Sequence, residues 1–209
     1  RASECNFRRA TGILFDLGLR RFQLDSARGF SFRGASALDM RFDSSGTVAL
    51  PEPTNQALRN LARARGAYTA AEVLQFLSAR ALEDLLREYG GEPAARRIAE
   101  AIVTARRRHT LATTSDLVAV IVRALPPAAR HRRIHAATLT FQALRIAVNR
   151  EFQSLERGLA GALRLLAPGG RIAVISYHSG EDRIVKRLFR AAAEPPGVHG
   201  RAAEPPGVH

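Results

Sequence analysis

The chain has 209 residues, 46% of them hydrophobic, with 32 basic against 19 acidic side chains and a formal net charge of +13. That length suits one ordinary domain with a smaller unit inserted or appended. A single cysteine, Cys5, excludes an intrachain disulfide and a cysteine-built zinc site and fits a reducing cytoplasm, and no apolar run reaches the roughly 20 residues of a membrane helix. The charge suits a polyanion, with nucleic acid the natural partner. Lys186 is the only lysine, however, and Arg- and Ala-rich usage also follows from GC-rich codons, so charge alone leaves both readings open.

Gly12 to Met40 begins with the apolar run Ile13-Leu14-Phe15, flanked by Gly12 and Asp16. This is the pattern of a parallel strand buried on both faces. Asp16 then stands where strand meets loop, the place where open α/β sheets bind ligands. Capping of the following turn explains an Asp there equally well. Gln23, seven residues on, carries an amide able to orient a ligand. Arg28-Gly29-Phe30-Ser31-Phe32-Arg33 interleaves cations with aromatics, which suits stacking of unpaired bases and contact with phosphate. A loop clamped to the core by Phe30 and Phe32 has the same composition.

Thr47 to Gly66 contains Pro51 and Pro53 and then an Arg-rich, helix-like piece, read as a connection. A helix is predicted to open at Thr69, with Glu72 at capping-box spacing, and to run to Gly90-Gly91 along a stripe of Val73, Leu74, Leu77, Leu82, Leu85 and Leu86. Further helices are expected from about Ala94 to Arg108 and from Thr114 to Leu125, before Pro126-Pro127, which suggests a small inserted bundle. A long helix from about Thr140 to Leu166 follows, with Phe141, Leu144, Val148, Phe152, Leu155, Leu159 and Leu163 on one stripe. Ala167-Pro168-Gly169-Gly170 turns the chain into a second strand, Ile172 to Ile175.

After that strand, Tyr177-His178-Ser179-Gly180-Glu181-Asp182 opens a helix. Ser179 and Asp182 have capping-box spacing, which accounts for Ser179 and the acids but leaves His178 unexplained at the same sheet edge as Asp16. The six histidines form no compact ligand cluster, and no metal site is predicted. Residues 191–209 nearly duplicate RAAEPPGVH, a low-complexity end read as disordered or artefactual.

Several blocks in order, DLG with QLD, RGFSF, LDMR, LREYGGE, ARRIA, FQALRIAVN, LAPGGRIAVIS and HSGEDRIVKR, make the chain similar to the bacterial 16S ribosomal RNA cytosine-N4 methyltransferase family over Gly12 to Arg190. The resemblance implies an α/β fold: a partial Rossmann-like class I methyltransferase core interrupted by an α-helical insertion domain. Residues 1–50 would form the first part of that core, 51–137 the insertion and 138–190 the second part. It implies S-adenosyl-L-methionine as cofactor, contacted by Asp16 and Gln23, with His178 and Ser179 near the reaction centre and Asp16 also a catalytic candidate that would orient the target amine and help its proton leave. The partner would be 16S ribosomal RNA or the small ribosomal subunit, touched by Arg28, Phe30, Phe32, Arg33 and Arg145, in a cytoplasmic protein, with a homodimer possible.

Departures accompany the matches. The family's Gly-Gly-His cofactor loop and its ribose-holding acid have no counterpart, and Arg1 begins no native-looking start, so the chain reads as truncated. Leu19-Arg20-Arg21-Phe22 stands where the family has Val-Ser-Ser-Pro, Leu139 replaces an Arg, and Gly180 replaces a Leu. With two clear strands, sheet edges are expected to be bare.

Overall fold

The computed structural model describes residues 9–18, 28–32, 34–45, 49–127 and 135–193. Among them, strand β1 (Ala10–Asp16) is followed by seven helices: α1 (Gln56–Arg65), α2 (Ala70–Phe76), α3 (Ala79–Gly90), α4 (Ala95–Arg106), α5 (Thr114–Ala124), α6 (Thr138–Asn149) and α7 (Glu151–Leu165). Strand β2 (Leu166–Ile175) and helix α8 (Ser179–Ala193) complete the order. No described helix is long and apolar enough to cross a membrane.

The two strands pair in parallel, in register from Gly12↔Arg171 to Asp16↔Ile175. Ala10 pairs with Leu166, so the expected Ala-Pro-Gly-Gly turn lies inside β2 as an irregularity, with Gly169 at φ 75°. Burial of β1 on both faces does not occur. Phe15, Ile172 and Val174 pack with Leu155, Leu159 and Ile184 of α7 and α8, whereas Leu14 is 65% exposed. One layer of helices covers one face, and β2 is the only described strand beside β1.

The larger core lies among the helices, where Leu82, Leu85, Ile98, Ile102, Leu117 and Leu144 are fully buried. Leu38 and Met40 enter the same core, so it takes side chains from all three of the expected segments. The Thr69–Glu72 capping box forms as expected. The single helix predicted from it does not continue: Leu77 is extended, and Ser78 caps a new helix by accepting from the Ala81 amide. Arg106 fixes the break, donating from Nη1 to the Leu74 and Leu77 carbonyls at 2.5 and 2.7 Å.

The predicted long helix from Thr140 is likewise two helices. Arg150 sits between α6 and α7 in the left-handed region, at φ 52°, ψ 43°. Its guanidinium donates to the Leu50 and Pro51 carbonyls at 3.3 and 2.8 Å. These tertiary contacts hold a conformation that a non-glycine residue rarely takes.

Helices α3 and α6 approach closely at Gly90, where an added Cβ would meet the Leu139 carbonyl oxygen at 2.5 Å and Ala143 Cβ at 3.0 Å. Gly90→Ala is therefore expected to destabilise by about 1–3 kcal/mol, as overpacked cores do. A lowered urea midpoint with an unchanged m-value would register it.

Candidate functional site

Parallel pairing sets the carboxyl ends of β1 and β2 side by side, and the ladder runs one residue further, Leu17 N–H donating to the Ile175 carbonyl at 3.1 Å. Asp16 is exposed there, and the Tyr177 hydroxyl donates to its Oδ1 at 3.2 Å. That bond and the charge of Asp16 raise the Tyr177 hydroxyl pKa above its usual range. Gly18, at φ 112°, lets the chain pass the Tyr177 ring, which an added Cβ would approach to 3.1 Å.

Helix α8 opens differently from expectation. Ser179 is its first residue and is exposed, and Glu181 rather than Asp182 reaches back, accepting from the Tyr177 amide at 3.1 Å. His178 Nε2 lies 3.1 Å from Glu181 Oε1. It is buried and outside hydrogen-bond alignment, so the contact is electrostatic and depends on a protonated ring. Burial pushes the Glu181 carboxyl up, but the His178 contact, the Tyr177 amide and the nearby His178 and Arg145 charges outweigh it and hold it below the usual range.

Behind this edge, Arg145 of α6 holds Glu151 of α7 through two bonds, Nε to Oε1 at 2.7 Å and Nη2 to Oε2 at 2.9 Å. Burial raises the Glu151 carboxyl, and Arg145 offsets only part of the rise. Asn149, 5% exposed, donates from Nδ2 to the Met40 and Arg145 carbonyls at 2.7 and 2.9 Å and accepts from the Phe42 amide at 2.7 Å. It thereby clamps Met40, at φ 58°, and Phe42 to the end of α6.

Two spaces share Leu17, Gly18 and Glu181 as a common wall. One, of about 510 Å³, is mainly apolar, with Phe15, Phe42, Tyr68, Phe152 and Leu155 around it and Arg41, Asn149 and Glu151 as polar points. The other, of about 350 Å³, is polar and adds Asp16, Gln142, Arg145, Tyr177 and His178. Such volumes are those of small-ligand sites.

Of the residues singled out in sequence, Asp16, His178 and Arg145 meet at the polar space, and Ser179 lines neither. Gln23 and Arg33 lie outside the described residues. The aromatic loop is clamped: Phe30 is 7% exposed, and Phe32 stacks on His135 at 4.3 Å and meets Phe141 edge-on. Arg28 donates to the Arg41 and Phe42 carbonyls at 3.0 and 2.9 Å, and none of these three loop residues lines either space. Sequence reasoning passed over Gln142, Asn149, Glu151 and Tyr177. Gln142 and Asn149 stand in the FQALRIAVN block, and Tyr177 directly precedes His178, so position within the blocks was the available signal. Among the described residues no group of His, Cys, Asp or Glu is arranged to hold a metal ion.

Comparison with known proteins bears out the family resemblance. The model of the MraW methylase family matches residues 1–204. "Ribosomal RNA small subunit methyltransferase H" of Magnetococcus marinus is 47% identical over 186 residues, 88% of this chain and 52% of that protein. Proteins of the same name from Thermomicrobium roseum (46% over 202 residues, 94% and 55%) and Methylococcus capsulatus (48% over 186 residues, 88% and 54%) are similar to it as well. The chain spans about half the length of these relatives. By family model and by relatives alike, the chain belongs to the MraW methylase family.

Proposed function

We propose S-adenosyl-L-methionine-dependent methyl transfer to the N4 amine of a cytosine in small-subunit (16S) ribosomal RNA, in the cytoplasm. The observation that carries this reading is Asp16, at the carboxyl ends of parallel strands beside two ligand-sized spaces, in a chain of this family. A strand, a run of helices and a parallel strand are what a Rossmann-like core with a helical insertion would present.

The residues fit the cofactor on chemical grounds. Phe42, Tyr68 and Phe152 offer aromatic walls to an adenosyl group, and the Asp16 and Glu181 carboxylates offset a positive sulfonium. Asp16 and, by resemblance, Gln23 would hold it. When bound, S-adenosyl-L-methionine supplies a methyl carbon made electrophilic by its sulfonium. Asp16 accepts a hydrogen bond from the target amine, orients its lone pair and takes a share of the departing proton. Tyr177 fixes that carboxylate through Oδ1, and among the described residues Oδ2 has no other partner. His178, beside Glu181, is a positioning residue for the turn that carries Tyr177. The base leaves its stack to reach the pocket.

Calorimetric titration of the chain with S-adenosyl-L-methionine tests this. Heat of binding is expected, and Asp16→Ala is expected to abolish it; binding that survives the substitution removes Asp16 from the role. The +13 charge favours a second reading, RNA binding without methyl transfer. A chain that melts cooperatively, gives no heat with cofactor and binds ribosomal RNA with a steep salt dependence would establish that instead.

A further inference from the structure

We propose that Gln142 and Tyr177 select the target base, Tyr177 as the surface on which it stacks and Gln142 as the group that reads its hydrogen-bonding edge. This deepens the methyl-transfer reading and rests on it. Tyr177 is 70% exposed, more than any other large hydrophobic side chain outside the core among the described residues. An aromatic ring left in water has no packing reason to be there, yet the hydroxyl of this one donates to Asp16 Oδ1 and Gly18 leaves room alongside its ring. A solvent-facing ring at the rim of a ligand-sized space is what an unstacked base packs against.

Gln142 lines the same space, one turn from Arg145 on α6. Of the other polar groups there, Arg145 is engaged with Glu151, Glu181 with the Tyr177 amide and Asp16 Oδ1 with the Tyr177 hydroxyl, while His178 Nε2 faces Glu181 without a hydrogen bond. Gln142 is half-buried, and its amide has no hydrogen-bond partner among the described residues. A primary amide offers both donor and acceptor, whereas an ionised carboxylate only accepts.

Together the two groups match one pyrimidine. Cytosine presents its N4 amine as donor, which Asp16 accepts, and N3 and O2 as acceptors, to which Gln142 Nε2 donates. Uracil would set O4 against the Asp16 carboxylate, acceptor against acceptor, and its N3–H against Gln142 Nε2, donor against donor, so both contacts are lost. A site built to hydrogen-bond one edge rejects the isostere that lacks it.

The test is fluorescence-anisotropy titration of this chain with two end-labelled single-stranded RNAs, an oligouridine with one central cytidine and the same strand without it. The wild-type chain is expected to prefer the cytidine strand by about tenfold, the scale of one good edge contact. Gln142→Ala should bring the preference close to unity and leave the all-uridine affinity unchanged, and the isosteric Gln142→Glu, which replaces the donor with an acceptor, should do the same. Tyr177→Ala should weaken binding of both strands about tenfold, and Tyr177→Phe should weaken it much less, because the stacking face remains and only the Asp16 bond is lost. An absent wild-type preference, a preference that survives both Gln142 substitutions, or full binding by Tyr177→Ala overturns the inference. Cofactor titration of the same samples separates the two levels: cytidine preference without cofactor heat supports base selection and removes the methyl-transfer reading.

Discussion

Arg145→Met is expected to destabilise the chain by about 3–5 kcal/mol at neutral pH, a large share of the roughly 5–15 kcal/mol that holds a domain of ordinary size together. The cost comes from the partner left behind. Glu151 is largely buried, its side chain 17% exposed, and both of its oxygens are satisfied by Arg145. Burial already raises the Glu151 carboxyl, so folding favours its protonated form. A raised carboxyl contributes most at low pH, below its unfolded value, and that contribution is lost as pH rises through the folded value. Without Arg145 the rise is larger, so the penalty should shrink on acidification. Urea midpoints at pH 7 and pH 5 would show this, and the double variant Arg145→Met/Glu151→Leu should recover most of the loss, as apolar replacement of a buried pair does. An equal penalty at both values would mean that water reaches Glu151.

The second large effect is expected of Asn149→Ala. It removes three hydrogen bonds at once and leaves the Met40 carbonyl and the Phe42 amide without their partner. At about 1–3 kcal/mol for a buried group left unpaired, with the Phe42 amide only part-buried and so contributing less, a loss of about 2–4 kcal/mol is expected. For a chain of this size that lowers Tm by roughly 4–16 °C. The loss also has a local address. Met40 is held at φ 58° by this clamp, and Arg41 and Phe42 wall the apolar space, so cofactor heat should fall together with Tm. Asn149→Asp should not rescue, because its carboxylate would face two carbonyls that need donors. A Tm drop with cofactor heat intact would detach the apolar space from the cofactor.

What the sequence disclosed, and what it withheld, follows from how far each signal reaches. The Thr69–Glu72 box is a contact three residues long, so its pattern is complete within the chain segment. Asp16 was legible for the same reason: an apolar run that stops at an acid states where a strand ends. The break at Arg150 was not, because Phe141 to Leu163 keeps its helical spacing straight through it, and the left-handed turn is held by carbonyls of Leu50 and Pro51, distant in sequence. Burial of β1 on both faces was read from composition alone, yet burial depends on neighbours, and Leu14 is left exposed. The pairing of Glu151 with Arg145 was hidden in the same way, since it turns on the geometry of the bend between two helices.

The parallel sheet has a consequence in time. Each bond between β1 and β2 closes a loop that contains helices α1 to α7, longer than the loops that join the helices to one another, among which α3, α4 and α5 pack in succession. Closing so long a loop costs entropy that is repaid only once the helices already stand in place. The helical body is thus expected to form first, and the strand pair, with Asp16 and Tyr177 at its end, to assemble late and to lose amide-exchange protection first.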